Sequence, residues 1–354
     1  MDTPYNTLIM GASYGSLLAA KLLLAGYTVK LACLPDEAQL INEEGIRVRL
    51  PVRGREGLVE LDSRQLPGTL SADSPEAIDP AHFELVALAM QEPQYRATGV
   101  RELLSAVATI KVPCMSIMNM PPPPYLERLG LSADTVKACY TDITVWDGFE
   151  PGLVTLASPD PQAFRPPEEK PNVLQVGLAT NFKVARFESD AHTAMLRQMQ
   201  SDIESARFDT GAGVIELPVK IKVHDSVFVP LAKWSMLITG NYRCVQADGM
   251  RSIKEAVHSD MELSRSLYNW VCDLCKALGA SEDDLVPFEK YANAASGLTK
   301  PSSAARALFA GASHIERVDC LVKTIAAQKG MQSDAVDEMV ALVDARLERN
   351  RRAA

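Results

Sequence analysis

The segment Asn6–Cys33, NTLIMGASYGSLLAAKLLLAGYTVKLAC, predicts the fold of the first half of the chain. Its pattern indicates a short strand at Asn6–Met10, an apolar helix at Ser13–Ala25 that Gly26 closes, and a second strand at Thr28–Cys33. A strand, a tight turn, a helix and a strand in this order open the doubly wound α/β fold, in which a helix N-terminus faces a pyrophosphate. We therefore expect an N-terminal Rossmann-like domain.

The turn inside this segment, MGASYGS at Met10–Ser16, differs from the GxGxxG motif of dinucleotide-binding proteins. If Gly15 is the last glycine of the motif, the first two positions are Met10 and Ala12; if Gly11 is the first, the loop is one residue short. The motif's glycines serve the turn, the approach of phosphate and helix packing. Either a dinucleotide binds here, or the turn is a structural relic of the fold. In the first case the cofactor-binding residues are Gly11, Ala12, Ser13, Tyr14 and Gly15.

The end of the second strand normally distinguishes the two nicotinamide cofactors. An acidic residue there suits the ribose hydroxyls of NAD, and an arginine suits the 2′-phosphate of NADP. The chain offers Cys33 and Leu34 first, and Asp36 and Glu37 only later. The segment fits neither pattern, so NADP and NAD both stay open as cofactors.

The remaining pattern predicts a continuation of the α/β domain to residue 222 and an all-helical domain at residues 223–354. Further strands are predicted at Gly45–Leu50, Gly57–Leu61, Phe83–Met90, Val112–Met118, Val136–Val145, Gly152–Thr155, Asn172–Leu178 and Val214–Leu217, with helices at Tyr95–Ala108 and Asp190–Ala206. In the second domain, helices are predicted at Val227–Gln246, Ile253–Leu278, Pro287–Ala295, Ser302–Ala310, His314–Lys329 and Ala335–Asn350.

Composition narrows the functional classes. The chain has 354 residues, 47% of them hydrophobic and 23% charged, which is typical of a soluble globular protein of two domains. A formal net charge of -9 without a broad basic surface argues against nucleic acid as a partner. No apolar run reaches the length of a membrane span, and no basic, then apolar leader opens the sequence. We expect a cytoplasmic protein that does not associate with membranes.

The cysteines and histidines indicate neither a disulfide framework nor a metal site. Seven cysteines are an odd number spread along the chain, unlike the pattern of small secreted proteins. Cys272 and Cys275 form a CxxC, but they lie within a helical pattern, where two small apolar residues on a buried face are the favoured interpretation. The histidines that show no ligand spacing are His82, His192, His224 and His258.

A second segment, VPLAKWSMLITGNYR at Val229–Arg243, predicts an apolar helix that contains a lysine and an asparagine. Lys233, Leu237 and Asn241 are spaced by four, so they follow one another along one helix face. A lysine in an apolar segment is costly unless its charge is used. Lys233 is therefore a candidate functional residue.

Five segments together resemble the ketopantoate reductase family, and they occur in the family's order over most of the chain. The resemblance implies NADPH-dependent reduction of a 2-oxo acid between a Rossmann domain and a helical domain of the 6-phosphogluconate dehydrogenase C-terminal type, in an enzyme whose relatives often form homodimers. The segments are LIMGASYGSLLAAKLLLAGYTVKLA, EEGIRVRLP (Glu43–Pro51), SIMNM (Ser116–Met120), AKWSMLITGN (Ala232–Asn241) and PSSAARALFAGASHIERVDCLVKTIAAQKG (Pro301–Gly330).

The resemblance also assigns roles to residues. Lys233 falls on the family's catalytic lysine, which protonates the carbonyl oxygen as hydride arrives, and Asn241 falls on the second asparagine of that helix. Asn119 matches the asparagine near the nicotinamide, although an asparagine that bonds its own turn is an equal interpretation. Ser303 matches a serine that holds the substrate. An acid and oriented donors suit a developing alkoxide.

Several positions depart from the family pattern. Leu237 replaces the first asparagine of the helix, and Ala89 stands where the family has a lysine. With Gly330 as anchor, His314 aligns with the family's acidic residue and Glu316 with its following aspartate. His314 then either acts as a titratable group that orients substrate or is a polar first-turn residue of the helix predicted there.

We therefore expect a reductase of a 2-oxo acid or a related carbonyl or imine compound. The less polar positions Leu237 and Ala89 indicate a substrate other than ketopantoate, bulkier or more apolar. Two alternatives keep the fold: a non-redox acid–base enzyme that uses Lys233 and His314, and a binding protein with a vestigial site.

Overall fold

The structure, a computed structural model, describes residues 5–353. The chain divides into two compact units. Unit 1 comprises Met1–Met90, Gln94–Arg128 and Thr144–Asp225. Unit 2 comprises Gln91–Pro93, Leu129–Ile143 and Ser226–Ala354. Two short segments from the first half of the chain thus belong to the second unit.

Unit 1 contains the strands. They are β1 (Asn6–Met10), β2 (Thr28–Ala32), β3 (Arg47–Pro51), β4 (Leu58–Asp62), β5 (Thr69–Asp73), β6 (Leu85–Leu88), β7 (Cys114–Ser116), β8 (Val154–Ser158), β9 (Gln162–Phe164), β10 (Val173–Leu178), β11 (Phe182–Ala185), β12 (Phe208–Asp209), β13 (Val214–Ile215) and β14 (Ile221–His224). Its helices are α1 (Ala12–Leu24), α2 (Pro35–Glu44), α3 (Val100–Ile110), α4 (Pro123–Arg128) and α6 (Asp190–Ser205), and α5 (Ala133–Val136) lies in a segment of unit 2.

The central sheet of unit 1 has the order β14-β11-β8-β7-β6-β1-β2-β5. From β5 to β8 every neighbouring pair is parallel. Numbered in chain order, these six strands run 3-2-1-4-5-6, the order of the Rossmann fold. The predicted Rossmann-like domain is confirmed.

The centre of this sheet is apolar because it is covered on both faces. Leu8, Ile9 and Met10 of β1 have no exposed surface, and Leu17 and Leu22 of α1 pack into the same core cluster as Ile9. A parallel strand buried on both faces needs a continuous apolar run rather than an alternating one. Burial of each such side chain stabilises the fold by about 1.5–3 kcal/mol.

A smaller sheet with the order β4-β3-β10-β9 lies within unit 1. The strands predicted at Gly45–Leu50 and Gly57–Leu61 are confirmed as β3 and β4, which pair antiparallel with Arg47 opposite Asp62. β10 extends it in parallel to β3.

Unit 2 is helical after residue 226. Its helices are α7 (Ala232–Met236), α8 (Ile253–His258), α9 (Met261–Leu278), α10 (Phe288–Ala295), α11 (Ser303–Phe309), α12 (Val318–Gln328) and α13 (Asp334–Ala353). Among the described residues, no helix combines the length and apolarity needed to cross a bilayer.

The helix predicted at Ile253–Leu278 is interrupted. The carboxylate of Asp260 accepts a hydrogen bond of 2.9 Å from the backbone N–H of Leu263, so it begins a new helix, α9. A side-chain cap of this kind satisfies one of the free N–H groups of a helix start.

Three further predictions need correction. The strand predicted at Val136–Val145 is wrong, because this β-branched segment forms the end of α5 and short 3-10 turns. The helix predicted at Tyr95–Ala108 begins only at Val100, since Gly99 has a φ of 79° that a helix does not allow. The helical pattern expected from Val223 begins later, because β14 pairs with β11 up to His224.

Candidate functional site

The turn after β1 consists of a single residue. Gly11 has a φ of 105°, and α1 begins at the next residue. A Cβ added to Gly11 would lie 2.5 Å from the Met90 Cγ atom and 3.0 Å from the Ala89 carbonyl oxygen. Only glycine combines this φ with so little space. Gly11 therefore performs the turn-forming role of the motif.

The second glycine of the turn performs the packing role. A Cβ on Gly15 would lie 2.6 Å from Cγ2 of Ile9 and 3.3 Å from Cβ of Ala89. The first turn of α1 consequently lies directly on β1, which is the purpose of the motif's last glycine. The two roles are filled by residues four apart, so the loop is one residue shorter than GxGxxG.

The helix start between these glycines presents backbone N–H groups. Gly11 has no side chain, and no side-chain hydrogen bond caps the first turn of α1. Ser13 is exposed, whereas Ala12 is buried. Free N–H groups at the positive end of a helix dipole bind anions such as pyrophosphate. This turn fits the phosphates of a dinucleotide.

The side chain of Tyr14 makes its contacts within unit 1. Its hydroxyl donates a hydrogen bond of 2.6 Å to the carbonyl of Pro161, and its ring packs edge-on against Phe182 at 6.1 Å. Burial, and then the charge of Asp160, raise the pKa of Tyr14 well above its ordinary value. The prediction that Tyr14 contributes to cofactor binding therefore concerns its backbone N–H in the first turn of α1.

An arginine stands near the end of β2, although none follows that strand in the sequence. Arg165, just after β9, forms an ion pair with Glu37, and its charge acts on the thiol of Cys33. Burial, and then Glu37, raise the pKa of Cys33 to about 12. The neighbouring Leu34 is 73% exposed. Nothing near β2 in the sequence predicts this arginine, because its partner lies 128 residues away.

Asn119 lies at the same edge of the sheet as the glycine turn. β7, which precedes Asn119, is parallel to β6, and β6 is parallel to β1, so the carboxyl ends of the three strands meet. Asn119 is half-buried between the buried Met118 and Met120. Four prolines, Pro121–Pro124, follow it, and α4 begins at the third of them, Pro123. A proline fits the first turn of a helix, where its missing N–H is not needed.

In unit 2, Lys233 lies on a composite helix rather than on the regular helix predicted at Val227–Gln246. The α-helical part α7 is followed by a π-helix at Leu237–Asn241 and a 3-10 turn at Tyr242–Cys244. In a regular α-helix, residues eight apart point roughly 80° away from each other. A π segment has more residues per turn, which reduces this angle between Lys233 and Asn241.

The exposure of the residues along this helix agrees with such a shared face. Lys233 and Asn241 are half-buried, while Leu237 between them is only 3% exposed. Leu237 is thus the buried, apolar member of the three residues spaced by four. Single π turns inside helices occur frequently at functional sites.

Two hydroxyl groups support the π segment from neighbouring helices. Tyr291 donates a hydrogen bond of 3.0 Å to the Met236 carbonyl, and Ser302 donates one of 2.7 Å to the Asn241 carbonyl. A Cβ on Gly240 would lie 2.0 Å from the Tyr291 hydroxyl. The glycine thus admits the tyrosine that holds the segment.

Ser302, not Ser303, makes the structural contacts at the start of α11. The buried Ser302 hydroxyl also accepts a hydrogen bond of 3.2 Å from the N–H of Ala305 and so caps the helix. Ser303 is the next residue and is exposed. The bond from Ser302 to Asn241 places Ser303 close to the polar end of the Lys233 helix.

The helix predicted at His314 begins four residues later, at Val318. The interpretation of His314 as a first-turn residue is therefore wrong. His314 is half-buried, and its Nδ1 lies 3.0 Å from the Ser313 hydroxyl. It lies in an irregular segment that leads to α12.

Glu316, two residues after His314, is a buried acid with 8% of its surface exposed. Its carbonyl accepts a hydrogen bond of 2.5 Å from the Tyr242 hydroxyl, which in turn accepts one of 3.0 Å from the N–H of Val318. Because Tyr242 follows Asn241, this clamp fixes the Glu316 segment to the end of the Lys233 helix.

A second buried carboxylate, Glu92, lies beside Glu316. The N–H of Glu92 donates a hydrogen bond of 3.4 Å to the Glu316 carboxylate. The carboxylate of Glu92 accepts from the N–H and the hydroxyl of Thr141, at 2.9 and 2.8 Å. The sequence gives no sign of this pair, because its members come from segments far apart in the chain.

Metal ligands are not grouped in the described part of the chain. Within residues 5–353, no three His, Cys, Asp or Glu side chains form a cluster that could hold a metal ion.

Comparison with known proteins identifies the fold. No family model and no curated protein matches the chain. Among solved structures, a PanE/ApbA family ketopantoate reductase from Ralstonia eutropha JMP134 superposes with a TM-score of 0.62 at 17% identity, over 98% of this chain and 99% of that one. D-mandelate dehydrogenase with NADH and anilino(oxo)acetate gives 0.62 at 13% identity, over 98% and 99%. A dimeric ketopantoate reductase from Staphylococcus aureus gives 0.61 at 11% identity, over 98% and 99%.

These superpositions extend over almost the whole of each chain, so they include both units rather than the Rossmann sheet alone. The chain therefore has the fold of the ketopantoate reductases and D-mandelate dehydrogenase, a Rossmann-like domain followed by a helical domain.

Proposed function

We propose that the protein is an NAD(P)H-dependent reductase of a 2-oxo acid or a related carbonyl or imine compound. The observation that carries this proposal is the composite helix of unit 2, whose π segment supports a common face for Lys233 and Asn241. The fold supports it, because solved proteins with this fold include ketopantoate reductases and a dehydrogenase with NADH bound.

The glycine turn of unit 1 supports dinucleotide binding. The N–H groups of Ala12 and Ser13 at the start of α1 would hold the pyrophosphate, and Gly11 and Gly15 keep the helix close to β1. Asn119 lies at the same sheet edge and would contact the nicotinamide end. When bound, the reduced nicotinamide supplies a hydride to the substrate carbon.

In unit 2, Lys233 would donate the proton that the carbonyl oxygen requires as hydride arrives. A positioned acid of this type contributes about 10²–10⁴-fold to a rate. The Asn241 amide and the Ser303 hydroxyl would orient the substrate through hydrogen bonds, and His314 would act as a titratable group beside its carboxylate. The buried Glu316 is a further acid in the same segment.

The substrate we propose is bulkier or more apolar than ketopantoate. Leu237 stands where the family has an asparagine. Its side chain is apolar and buried, so no second polar group lies between Lys233 and Asn241 on this helix. Ala89 packs against the glycine turn, where a Cβ on Gly15 would approach it to 3.3 Å. Neither position offers a hydrogen bond to a hydroxylated substrate.

For the cofactor we propose NADPH. Arg165 supplies near β2 the cation that suits a 2′-phosphate, although its partner Glu37 is the kind of acid that suits the ribose of NADH. Rates with the two nucleotides at equal concentration test this choice directly.

The test of the function is oxidation of NADH and NADPH with a panel of 2-oxo acids of graded size. Lys233→Ala is expected to lower kcat by about 10²–10⁴-fold while nucleotide affinity is unchanged. Lys254→Ala, a lysine elsewhere in unit 2, is the matched control and keeps the wild-type rate. The proposal fails if calorimetry detects binding of neither nucleotide.

The shortened turn favours one other candidate, a non-redox acid–base enzyme that uses Lys233. The buried methyl group of Ala12 lies at the helix start, where phosphate oxygens approach. Substrate turnover without nicotinamide oxidation, still lost in Lys233→Ala, would favour this candidate.

We also propose a homodimer in the cytoplasm. All seven cysteines are free thiols, as in proteins of reducing compartments. Light scattering of the purified protein and fractionation of cells test the two statements.

A further inference from the structure

Two cysteines of unit 2 that are far apart in the sequence lie in contact. Cys139 ends the 3-10 turn at Lys137–Cys139, and Cys320 lies in the first turn of α12. The Cys139 thiol donates a hydrogen bond of 3.3 Å to the sulfur of Cys320, across 181 positions of the chain. The Thr324 hydroxyl lies 3.4 Å from the Cys139 sulfur. This pair has no part in the proposed reduction.

The two thiols differ in accessibility. Cys139 is buried, whereas Cys320 is half-buried and can be reached by a small reagent. The hydrogen bond from Cys139 lowers the pKa of Cys320, and Arg317 lowers it further, while burial and the carboxylate of Asp319 oppose both effects. The same hydrogen bond and burial raise the pKa of Cys139. Cys320 is therefore the thiol that ionises first, and a thiolate is the reactive form.

The distance between the sulfurs suits a covalent link. A disulfide has an S–S bond of about 2.05 Å, so the atoms need to approach each other by roughly 1.3 Å. Side-chain rotation and a small shift of the first turn of α12, where Cys320 is half-buried, would close this gap. The CxxC pair offers no comparable geometry, because Cys272 and Cys275 share one turn of the rigid helix α9.

We propose that Cys139 and Cys320 form an oxidation site that a hydroperoxide converts to a reversible disulfide. The Cys320 thiolate attacks the terminal peroxide oxygen, the O–O bond breaks and a sulfenic acid forms. The alkoxide or hydroxide that leaves takes up the proton that Cys320 released to solvent and becomes an alcohol or water. The Cys139 sulfur then attacks the Cys320 sulfur, the S–O bond breaks, and water leaves with the Cys139 proton. Two thiols are oxidised and one peroxide is reduced. A small dithiol reverses the reaction by exchange.

The disulfide would act on the buried acids of unit 2. Cys139 is two residues before Thr141, which holds the carboxylate of Glu92. Cys320 is four residues after Glu316, at the other end of the same acid pair. Oxidation therefore ties together the two segments that position Glu92 and Glu316. Because the link closes a long loop, it also restricts the unfolded chain and raises Tm.

The full-length protein, reduced and then treated with one equivalent of hydrogen peroxide, tests the proposal. We expect the intact mass to fall by two hydrogens, a linked peptide that contains Cys139 and Cys320, a higher Tm, and complete reversal by dithiothreitol. Any other linked pair, or a wild-type protein whose Cys320 accumulates sulfinic acid, overturns it. This readout on the wild type does not depend on the proposed reductase activity.

Variants separate the two steps. Cys139→Ser is expected to stop at the sulfenic acid of Cys320, which dimedone labels, and Cys320→Ser is expected to give neither the label nor the disulfide. Cys272→Ser removes another half-buried thiol of unit 2 and should form the disulfide as the wild type does. Dimedone labelling of Cys139 in place of Cys320 would contradict the order of the steps.

Discussion

Two constraints act independently on Gly11, a positive φ and a close neighbour. Gly26 shares the positive φ, at 88°, but has no atom within 4 Å of its Cβ position. A non-glycine residue in such a conformation costs about 1–2 kcal/mol, and an overpacked site costs about 1–3 kcal/mol more. We expect Gly11→Ala to lower the free energy of unfolding by about 2–5 kcal/mol and Gly26→Ala by about 1–2 kcal/mol, as measured by urea denaturation.

This pair of variants separates backbone strain from steric contact at the glycine turn. Equal losses in the two variants would mean that Met90 moves freely and that its contact with Gly11 adds nothing.

At the scale of single residues, the sequence identified side chains whose chemistry is local to a motif. Lys233 and Asn241 lie eight positions apart on one short helix, so their spacing indicated a similar direction, which the π segment brings closer than a regular helix would. Arg165 and Glu92 were not predicted, because their partners are brought near by the fold and not by the chain. In the sequence Glu316 was only a position aligned with the family's aspartate. The structure shows that it is buried and that its carbonyl accepts a hydrogen bond from Tyr242.

At the scale of elements, α1 contains a buried lysine that the apolar pattern conceals. Lys21 is 3% exposed and donates a hydrogen bond of 3.0 Å to the Pro218 carbonyl. Burial, and then the charge of Lys220, lower the pKa of Lys21 from 10.5 to about 8. Below pH 8 both folded and unfolded chains hold this proton, and the folded state bears the full desolvation penalty.

Between pH 8 and 10.5 the folded protein loses the proton that the unfolded chain keeps, so stability rises with pH. We expect the difference in unfolding free energy between wild type and Lys21→Met to shift by about 3 kcal/mol in favour of wild type from pH 7 to 10.5. Lys290→Met, at an exposed position of α10, controls for the loss of one charge. A difference that does not change with pH would show that Lys21 titrates normally.

The π segment of the Lys233 helix depends on the fit of Tyr291 beside Gly240. Gly240→Ala places a methyl group on the tyrosine hydroxyl, which we expect to cost about 1–3 kcal/mol of stability. Tyr291→Phe removes the bond to Met236 and costs about 1 kcal/mol. In the double variant the 2.0 Å contact with the hydroxyl is gone, and the nearest neighbours of the methyl group are Cγ2 of Ile253 at 3.1 Å and the ring atom Cζ at 3.4 Å.

The double variant should therefore be more stable than the sum of the single losses predicts, by about 1 kcal/mol or more in a thermodynamic cycle. Additive losses would mean that the methyl group is accommodated without contact to Tyr291.

Elements with strong periodicity were predicted well, and the errors have physical causes. The segment Val136–Val145 has β-branched residues but pairs with no strand in the structure, because β propensity depends on a place in a sheet. The π segment has no sequence signal of its own, since its extra residue is stabilised by Tyr291 and Ser302 from other helices.

At the scale of the molecule, the Rossmann architecture of unit 1, a largely parallel sheet covered on both faces, followed from the order of strands and helices along the chain. What could not be predicted is the membership of Gln91–Pro93 and Leu129–Ile143 in unit 2. Contacts at large sequence separation decide it, such as those of Cys139 with Cys320 and of Glu92 with Glu316. A local pattern contains no information on such contacts.

The last prediction concerns nucleotide binding by unit 1 and its effect on the stability of the whole protein. If the start of α1 in unit 1 holds the pyrophosphate, NADPH at 100 times its Kd should stabilise the native protein by about 2.7 kcal/mol, which thermal denaturation measures as a rise in Tm. Ser13→Glu should abolish this rise, because its carboxylate would occupy the anion site, while the helix dipole keeps the variant itself stable. Ser13→Ala and Lys233→Ala should retain the rise, since neither adds a charge there. A rise that persists in Ser13→Glu, or one that disappears in Lys233→Ala, would place the phosphates elsewhere.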